Sequence, residues 1–347
     1  MDRATKAAPT RGHARLAALW QRGCAFLGSR YAILGGAMTW VSERNLVAAI
    51  SNAGGFGVIA CGAMTPALLR AEIKATQALT DQPFGVNLIT LHPDLDALIK
   101  VCAEARVSHV VLAGGLPPAW AIAAIKDFEA RLICFAPTVA LAKKLVRSGV
   151  DALVIEGHEA GGHVGPVSTS VLAQEILPHV SDAPVFVAGG IGRGEAIAGY
   201  LRMGAAGCQL GTRFVCARES VAHADFKQAF IRAAARDAVT SVQLDPRFPV
   251  IPVRALKNQG TEDFMACQRQ VLEDFRAGRL GQEEAQLKIE HFWAGALRRA
   301  VIDGDIATGS LMAGQSVGMV KCEQSTAEII EELVDQAAAF LDQDEAA

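Results

Sequence analysis

Eight cysteines are scattered through the 347 residues without one C-x-x-C pair, and several fall inside apolar runs. That pattern excludes a zinc site and a disulfide framework and leaves buried, reduced thiols. Neither sign of charge dominates: 33 Lys and Arg stand against 36 Asp and Glu, a formal net charge of −3, and the basic residues are dispersed rather than massed in stripes. Nucleic acid is therefore set aside as a partner. No apolar run reaches the length of a bilayer span, and Leu16-Ala-Ala-Leu-Trp20 meets Gln21 and Arg22 too soon to be a signal-peptide core. A cytoplasmic protein with no membrane partner is the expectation. There is no Walker A loop, and no G-x-G-x-x-G follows a strand with an acidic residue at dinucleotide-binding distance, so a Rossmann domain is not expected. Low-complexity segments are absent too.

What the chain does have is a rhythm. Its 51% apolar content is ample for a core, and short runs rich in Val, Ile and Phe recur at 31–38, 56–60, 83–89, 108–113, 131–136, 151–156, 184–188 and 207–211. Helical patterns lie between them, as at 42–52, 65–78, 140–148 and 194–203, with Ser42, Thr65 and Gly149 as end signals. Eight strand-then-helix units predict an α/β fold, a closed (β/α)8 TIM barrel. After Arg213 the sequence turns charged and helical, and three prolines between Asp245 and Pro252 interrupt it. The division expected is an N-terminal extension at 1–27, a barrel at 28–215 and 306–347, and a smaller, mostly helical cap at 216–305. The glycine-rich stretch Gly309–Gly318 would return to the barrel mouth.

The chemistry sits where strands end in glycine. Glu156 to Gly165 holds two histidines and Gly161-Gly162 directly after the sixth apolar run. A barrel presents its chemistry at the C-terminal ends of its strands, and imidazole titrates near neutral pH, so His163 is the candidate catalytic residue. His158 lies five residues earlier with no further ligand cluster, which argues against a metal pair. Glu156 and Glu159 read first as strand-end carboxylates satisfied locally, and otherwise as contacts to His163 or a ligand ring. Gly189-Gly190 and Gly211-Thr212 end the seventh and eighth runs, a backbone cradle suited to phosphate. Asn87 puts an amide in an otherwise apolar strand, where it needs hydrogen-bond partners. Together with Met38 after the first strand, these residues suit a phosphorylated planar cofactor, for which FMN is the natural fit.

Six segments carry a resemblance to a known family: Gly36-Ala-Met-Thr-Trp-Val41, Asn52-Ala-Gly-Gly-Phe-Gly57, Pro83-Phe-Gly-Val-Asn87, Glu156–Gly165, Ala188-Gly-Gly-Ile191 and Gln209-Leu-Gly-Thr-Arg-Phe214. From about residue 28 to 335 the chain resembles the nitronate monooxygenase (2-nitropropane dioxygenase) family of FMN-dependent barrels, with its relative the flavin-dependent enoyl-acyl carrier protein reductase. The resemblance implies His163 as the catalytic residue. It implies FMN held by Gly36, Ala37, Met38, Asn87, Glu156, Gly161, Gly162, Gly189, Gly190, Gln209, Gly211 and Thr212. The leading expectation is oxidation of alkyl nitronates with O2, on a small-molecule substrate, with a homodimer as the assembly to be tested. The alternative is NAD(P)H-dependent enoyl reduction on an acyl carrier protein. A quinone reductase or a non-catalytic flavin-binding barrel ranks below both. Val253–Gln259, Gly309–Gln315 and Phe135 resemble the reductase branch, whereas Gly35 stands where both branches usually have glutamine. A carrier-linked acyl chain would call for an apolar tunnel with a basic rim, for which Arg213, Arg254, Lys257, Arg298 and Arg299 are available.

Overall fold

Apolar runs of four or five residues, too short for helices and flanked by Gly, Pro or Asp, become strands buried on both faces. In the computed structural model, which describes residues 10–343, they are β1 (Ile33–Gly35), β2 (Val58–Ala60), β3 (Gly85–Ile89), β4 (His109–Ala113), β5 (Arg131–Phe135), β6 (Ala152–Glu156), β8 (Val185–Ala188) and β9 (Gly207–Leu210). A two-residue strand, β7 (Gly162–His163), lies between β6 and β8 and belongs to a different sheet. The eight longer runs form one parallel sheet in the order β1-β9-β8-β6-β5-β4-β3-β2. Its two ends meet where Gly35 N donates to Phe56 O at 2.9 Å and Phe56 N donates to Ile33 O at 2.9 Å, so the barrel closes. The TIM barrel expected from the sequence is the observed fold.

Around it run α3 (Arg44–Asn52), α4 (Pro66–Leu79), α5 (Leu95–Glu104), α6 (Ala119–Asp127), α7 (Val139–Arg147), α8 (Thr169–Ile176) and α9 (Gly194–Arg202). Thr65 caps α4 as expected, its hydroxyl accepting from Leu68 N. Ser42 does not cap α3. That task falls to the Glu43 carboxylate, while the Ser42 hydroxyl donates to Gly36 O at 2.8 Å and accepts from Met38 N at 3.0 Å. Ser42 thus shapes the turn at the end of β1 instead.

The N-terminal extension contains α1 (Arg11–Leu19) and α2 (Gln21–Leu27); residues 1–9 of it lie outside the described residues. The end of α2 closes the base of the barrel. Phe26 O accepts from Arg131 Nη1 and lies 3.0 Å from His109 Nε2, and both partners are the first residues of their strands. The Phe26 ring contacts His109 and Phe186, and His109 contacts Phe56, so an aromatic layer fills the barrel end opposite the strand C-termini.

After β9 come α10 (Thr212–Val215) and α11 (Ala224–Arg232), then a hairpin of β10 (Ala238–Thr240) and β11 (Val253–Leu256), then α12 (Gln259–Arg276), α13 (Gln282–His291) and α14 (Ala296–Asp303). The hairpin, which the sequence reading did not foresee, pairs antiparallel with β7 through Val253↔His163 and Arg254↔Gly162. The three prolines lie in its connecting loop, anchored by the buried Phe248. That ring joins Phe264, Val271, Leu272, Ala285 and Ile289 in a small core separate from that of the barrel. Asn258 and Thr261 form a reciprocal cap that starts α12. The chain then returns through Gly309–Gly318 to the barrel and ends in α15 (Thr326–Gln343), packed on α9 and α1.

Candidate active site

Parallel register puts Glu156 level with Ala188, and Ala188 level with Gln209, across β6, β8 and β9. Residues level across parallel strands share a face. Two residues below in the same columns, Phe186 packs into the aromatic base, so the Glu156 and Gln209 side chains belong to the barrel interior at its C-terminal end. Asn87, on β3, is buried and donates from Nδ2 to Val111 O at a long 3.4 Å. A carboxyl and two amides thus crown an otherwise apolar barrel, with no strong protein partner among the described residues. Surrounding protein pushes the Glu156 carboxyl up to about 7 through desolvation alone, so it holds a proton for much of the neutral range.

The other residues singled out in the sequence gather at the same end. Gly36, Ala37 and Met38 follow β1; Gly161 and Gly162 precede His163; Gly189 and Gly190 follow β8; Gly211 and Thr212 follow β9. Gly189 and Gly190 take φ values of 97° and 71°, the region where glycine carries no penalty. A Cβ on Gly36 would lie 3.4 Å from Gly211 Cα, and one on Gly211 would lie 3.4 Å from Met38 Sδ. The turns after β1 and β9 thus lie against each other, and a side chain at Gly211 would extend into the space beside Met38. Backbone there, inward amides below and a thioether alongside make a donor set that fits a phosphorylated planar heterocycle such as FMN.

Not every glycine serves that space. A Cβ on Gly161 would come 2.5 Å from Gly314 N, so this position admits the returning segment. Thr212 has a structural bond as well, its hydroxyl accepting from Gly314 N at 3.0 Å. Glu159 follows the local reading: its carboxylate accepts from both the amide and the hydroxyl of Thr169.

The two histidines have different surroundings. His158 Nδ1 lies 2.7 Å from Gly165 O and closes the loop between β6 and β8. His163 has no side-chain partner among the described residues and faces a cavity of about 850 Å³ whose other walls come from the 239–297 segment and from Ser310 and Met312. The ring is exposed to solvent, yet the protein atoms around it desolvate it in part and hold its pKa below the ordinary imidazole value, which favours the neutral form. Strand alternation gives β11 two faces. Val253, Ala255 and Lys257 line the cavity, whereas Arg254 and Leu256 are buried on the other side. Phe264, Met265, Ile289 and Trp293 supply much of the remaining wall, and Met312 reaches it from the returning segment.

The basic rim differs from the residues anticipated. Arg213 is buried, paired with Glu332 at 2.9 Å, and Arg254 is buried against backbone carbonyls. Arg298 and Arg299 pair with Asp303 and Asp305 on their own segment. Lys257 stays at the cavity, where Glu262 lies 3.5 Å from its ammonium, and is joined by Arg269, which no sequence pattern singled out.

Comparison with known proteins adds a family model and several relatives. The model described as nitronate monooxygenase matches residues 22–336. A solved structure of FabK from Thermotoga maritima is 34% identical with a TM-score of 0.84, covering 94% of this chain and 98% of its own. A Mycobacterium tuberculosis protein named (3aS,4S,5R,7aS)-5-hydroxy-7a-methyl-1-oxo-octahydro-1H-indene-4-carboxyl-CoA dehydrogenase is 30% identical over 340 residues, 91% of this chain and 95% of that protein. A nitronate monooxygenase from Pseudomonas aeruginosa is 32% identical over 262 residues, 62% of this chain and 74% of that protein.

Proposed function

The chain belongs to the nitronate monooxygenase family of oxidoreductases, and from that premise we propose that it is an FMN enzyme acting on a large, mainly apolar acyl thioester. The observation that carries this reading is the cavity of about 850 Å³ beside His163. A nitronate of a few heavy atoms would leave most of that apolar wall to water, whereas an acyl group would remove it from water at roughly 25 cal/mol per Å². Size thus outweighs the preference for nitronate oxidation, which rests on the family's commonest assignment rather than on a discriminating residue. The FabK and carboxyl-CoA relatives, both matching over nine-tenths of this chain, support the same choice.

In this reading Gly189, Gly190, Gly211 and Thr212 hold the FMN phosphate, and Met38, Asn87, Glu156 and Gln209 border the ring, with Gly36, Ala37 and Gly162 as backbone wall. When bound, FMN would supply the redox chemistry, a hydride relay from NAD(P)H to the β-carbon of an enoyl thioester, while the proton that completes the reduction at the α-carbon would come from His163 or from water. The neutral His163 ring offers an N–H to the thioester carbonyl, and the apolar cavity excludes water from that bond. Lys257 and Arg269 stand at the polar margin, suited to a phosphate of the thioester's carrier.

A second reading is favoured by the same desolvated imidazole. A neutral His163 can accept the proton of a nitroalkane, after which the nitronate is oxidised at the expense of O2. Anaerobic mixing separates the two. Thioester reduction predicts flavin bleaching by NADH or NADPH, then colour return on adding one equivalent of a long-chain enoyl thioester. Bleaching by a nitronate alone, with no response to either nicotinamide, would overturn the thioester reading.

A further inference from the structure

His163 sits on backbone with little stiffness of its own. Its strand is two residues long, Gly161 and Gly162 precede it, and Gly165 follows two residues later. What fixes it comes from the hairpin: Val253 is its ladder partner, and Val164 N donates to Pro252 O at 3.0 Å. On the far face of the same strand, Arg254 is 3% exposed. Its Nε donates to His158 O at 3.1 Å and its Nη1 donates to Ala238 O at 2.6 Å. One acceptor is in the turn leading to His163 and the other begins β10.

No carboxylate pairs with this guanidinium among the described residues. Burial lowers the pKa of Arg254, and Glu159 opposes this only through charge. A buried cation without a carboxylate partner costs free energy that an apolar side chain in the same place would not. Leu256, two residues on and facing the same way, shows that the environment accepts one.

We propose that Arg254 is a positioning residue, a two-carbonyl clamp that fastens the 157–165 loop to the hairpin so that His163 and the cavity wall form as one unit. The proposal rests on the reading of His163 as the group that meets substrate. It adds that the imidazole is placed by the hairpin as well as by the barrel. A planar guanidinium reaches two carbonyls on separate segments at fixed angles; an ammonium offers no such fork. The ionisable groups sharing the cavity with His163 are Lys257, Glu262, Arg269 and Glu290, with Glu156, His158 and Glu159 on its own segment. None of them is itself substituted when Arg254 is changed, and Arg254→Lys also keeps the positive charge that acts on Glu159.

The test uses the FMN-loaded full chain with Arg254→Ala, Arg254→Lys and, as a packing control, Leu256→Ala. The titration of His163 is read from its imidazole proton resonance, assigned by the loss of that signal in His163→Ala. With Arg254→Ala we expect FMN to stay bound and turnover to fall roughly 10²-fold, the scale of a misplaced catalytic group. The His163 midpoint should rise toward its ordinary value of about 6.5 as the ring loses the protein atoms that partly desolvate it, and millimolar guanidinium should restore part of the activity. Arg254→Lys should resemble Arg254→Ala, and serves alone if the alanine variant does not fold. Leu256→Ala should lower thermal stability without moving the titration. An unmoved His163 midpoint in Arg254→Lys, or the same shift in Leu256→Ala, would overturn the clamp. Because the resonance needs no substrate, that result stands apart from any failure of the thioester assignment.

Discussion

The Glu159 carboxylate holds Thr169 at two points, 2.9 Å from its amide and 3.0 Å from its hydroxyl, and that hydroxyl also lies 3.0 Å from Gly189 O. Thr169 is the first residue of α8, so a carboxylate sits at a helix N-terminus, where the exposed amides and the dipole favour negative charge. The same cluster props the turn proposed for the FMN phosphate. Thr169→Val keeps the amide bond to Glu159 but removes the hydroxyl bonds to Glu159 and Gly189 O, so it should cost about 1 kcal/mol of stability, the usual net value of a hydrogen bond, and weaken FMN binding without touching His163. Thermal unfolding and a flavin fluorescence titration measure the two effects. Lost stability with unchanged FMN affinity would separate α8 from the cofactor turn.

Substituting His163 tests the centre of the site. His163→Ala should retain FMN, since the phosphate turns follow β8 and β9, yet lose roughly 10²–10⁴-fold in turnover. His158→Ala removes only the 2.7 Å tie to Gly165 O and should affect turnover far less. Steady-state rates at saturating FMN decide this, and equal losses in the two variants would make the choice of histidine wrong.

The eight barrel strands were legible because a strand buried on both faces must be apolar throughout, and nothing else in the chain has that length and spacing. The hairpin was not. Val253-Arg-Ala-Leu256 alternates across two environments, and Ala238-Val-Thr240 is too short to show a period. Arg254 illustrates the limit: among Lys257 and other charges it reads as a rim residue, but one step along a strand reverses the face, and it is buried under the loop it clamps. Ser42 and Glu43 differ by the same single step, and only geometry shows which reaches the free amides of α3. The glycines before His163 were visible as a group. That Gly161 exists for a backbone passing at Gly314 was not, because its partner is some 150 residues away in sequence.

Adding a methyl group to the cofactor turn should be costly. At Gly189 the φ of 97° is unfavourable for any L side chain, and the new Cβ would fall 2.9 Å from Gly157 O and from Thr169 Oγ1. Strain of about 1–3 kcal/mol is relieved only by moving the turn. Gly189→Ala should accordingly purify with sub-stoichiometric FMN, measured by the ratio of flavin to protein absorbance. Full flavin content would exclude the turn as a phosphate site.

The cavity can be narrowed without disturbing the barrel. Ala255 faces it from β11, beside Met312, two residues along from the ladder partner of His163. In Ala255→Phe the added ring occupies space assigned to the acyl group, so KM for long-chain thioesters should rise at least tenfold. Short-chain thioesters and flavin reduction by NAD(P)H should change little. A uniform loss across chain lengths would mean that the cavity does not hold the acyl group.

At the other end of the barrel, burial lowers the pKa of His109 from 6.5 to about 4, against a smaller rise from its bond to Phe26 O. Above pH 6.5 the ring is neutral whether the chain is folded or not, and the stabilisation from burying it is complete. As pH falls below 6.5 the unfolded chain takes up a proton that the folded chain refuses until about pH 4, so stability declines across that interval. The full loss is on the order of 3 kcal/mol. Glu156 works in the opposite sense, because its raised pKa makes the folded state less favourable as pH climbs from 4.5 to about 7. The histidine contribution is therefore the difference between the native chain and His109→Gln, which cannot titrate but keeps an amide N–H for Phe26 O. Urea midpoints at pH 7.5 and pH 5, taken on both proteins without flavin, should show the native chain losing more stability on acidification. Parallel losses would mean that His109 reaches solvent and that α2 does not seal the barrel base.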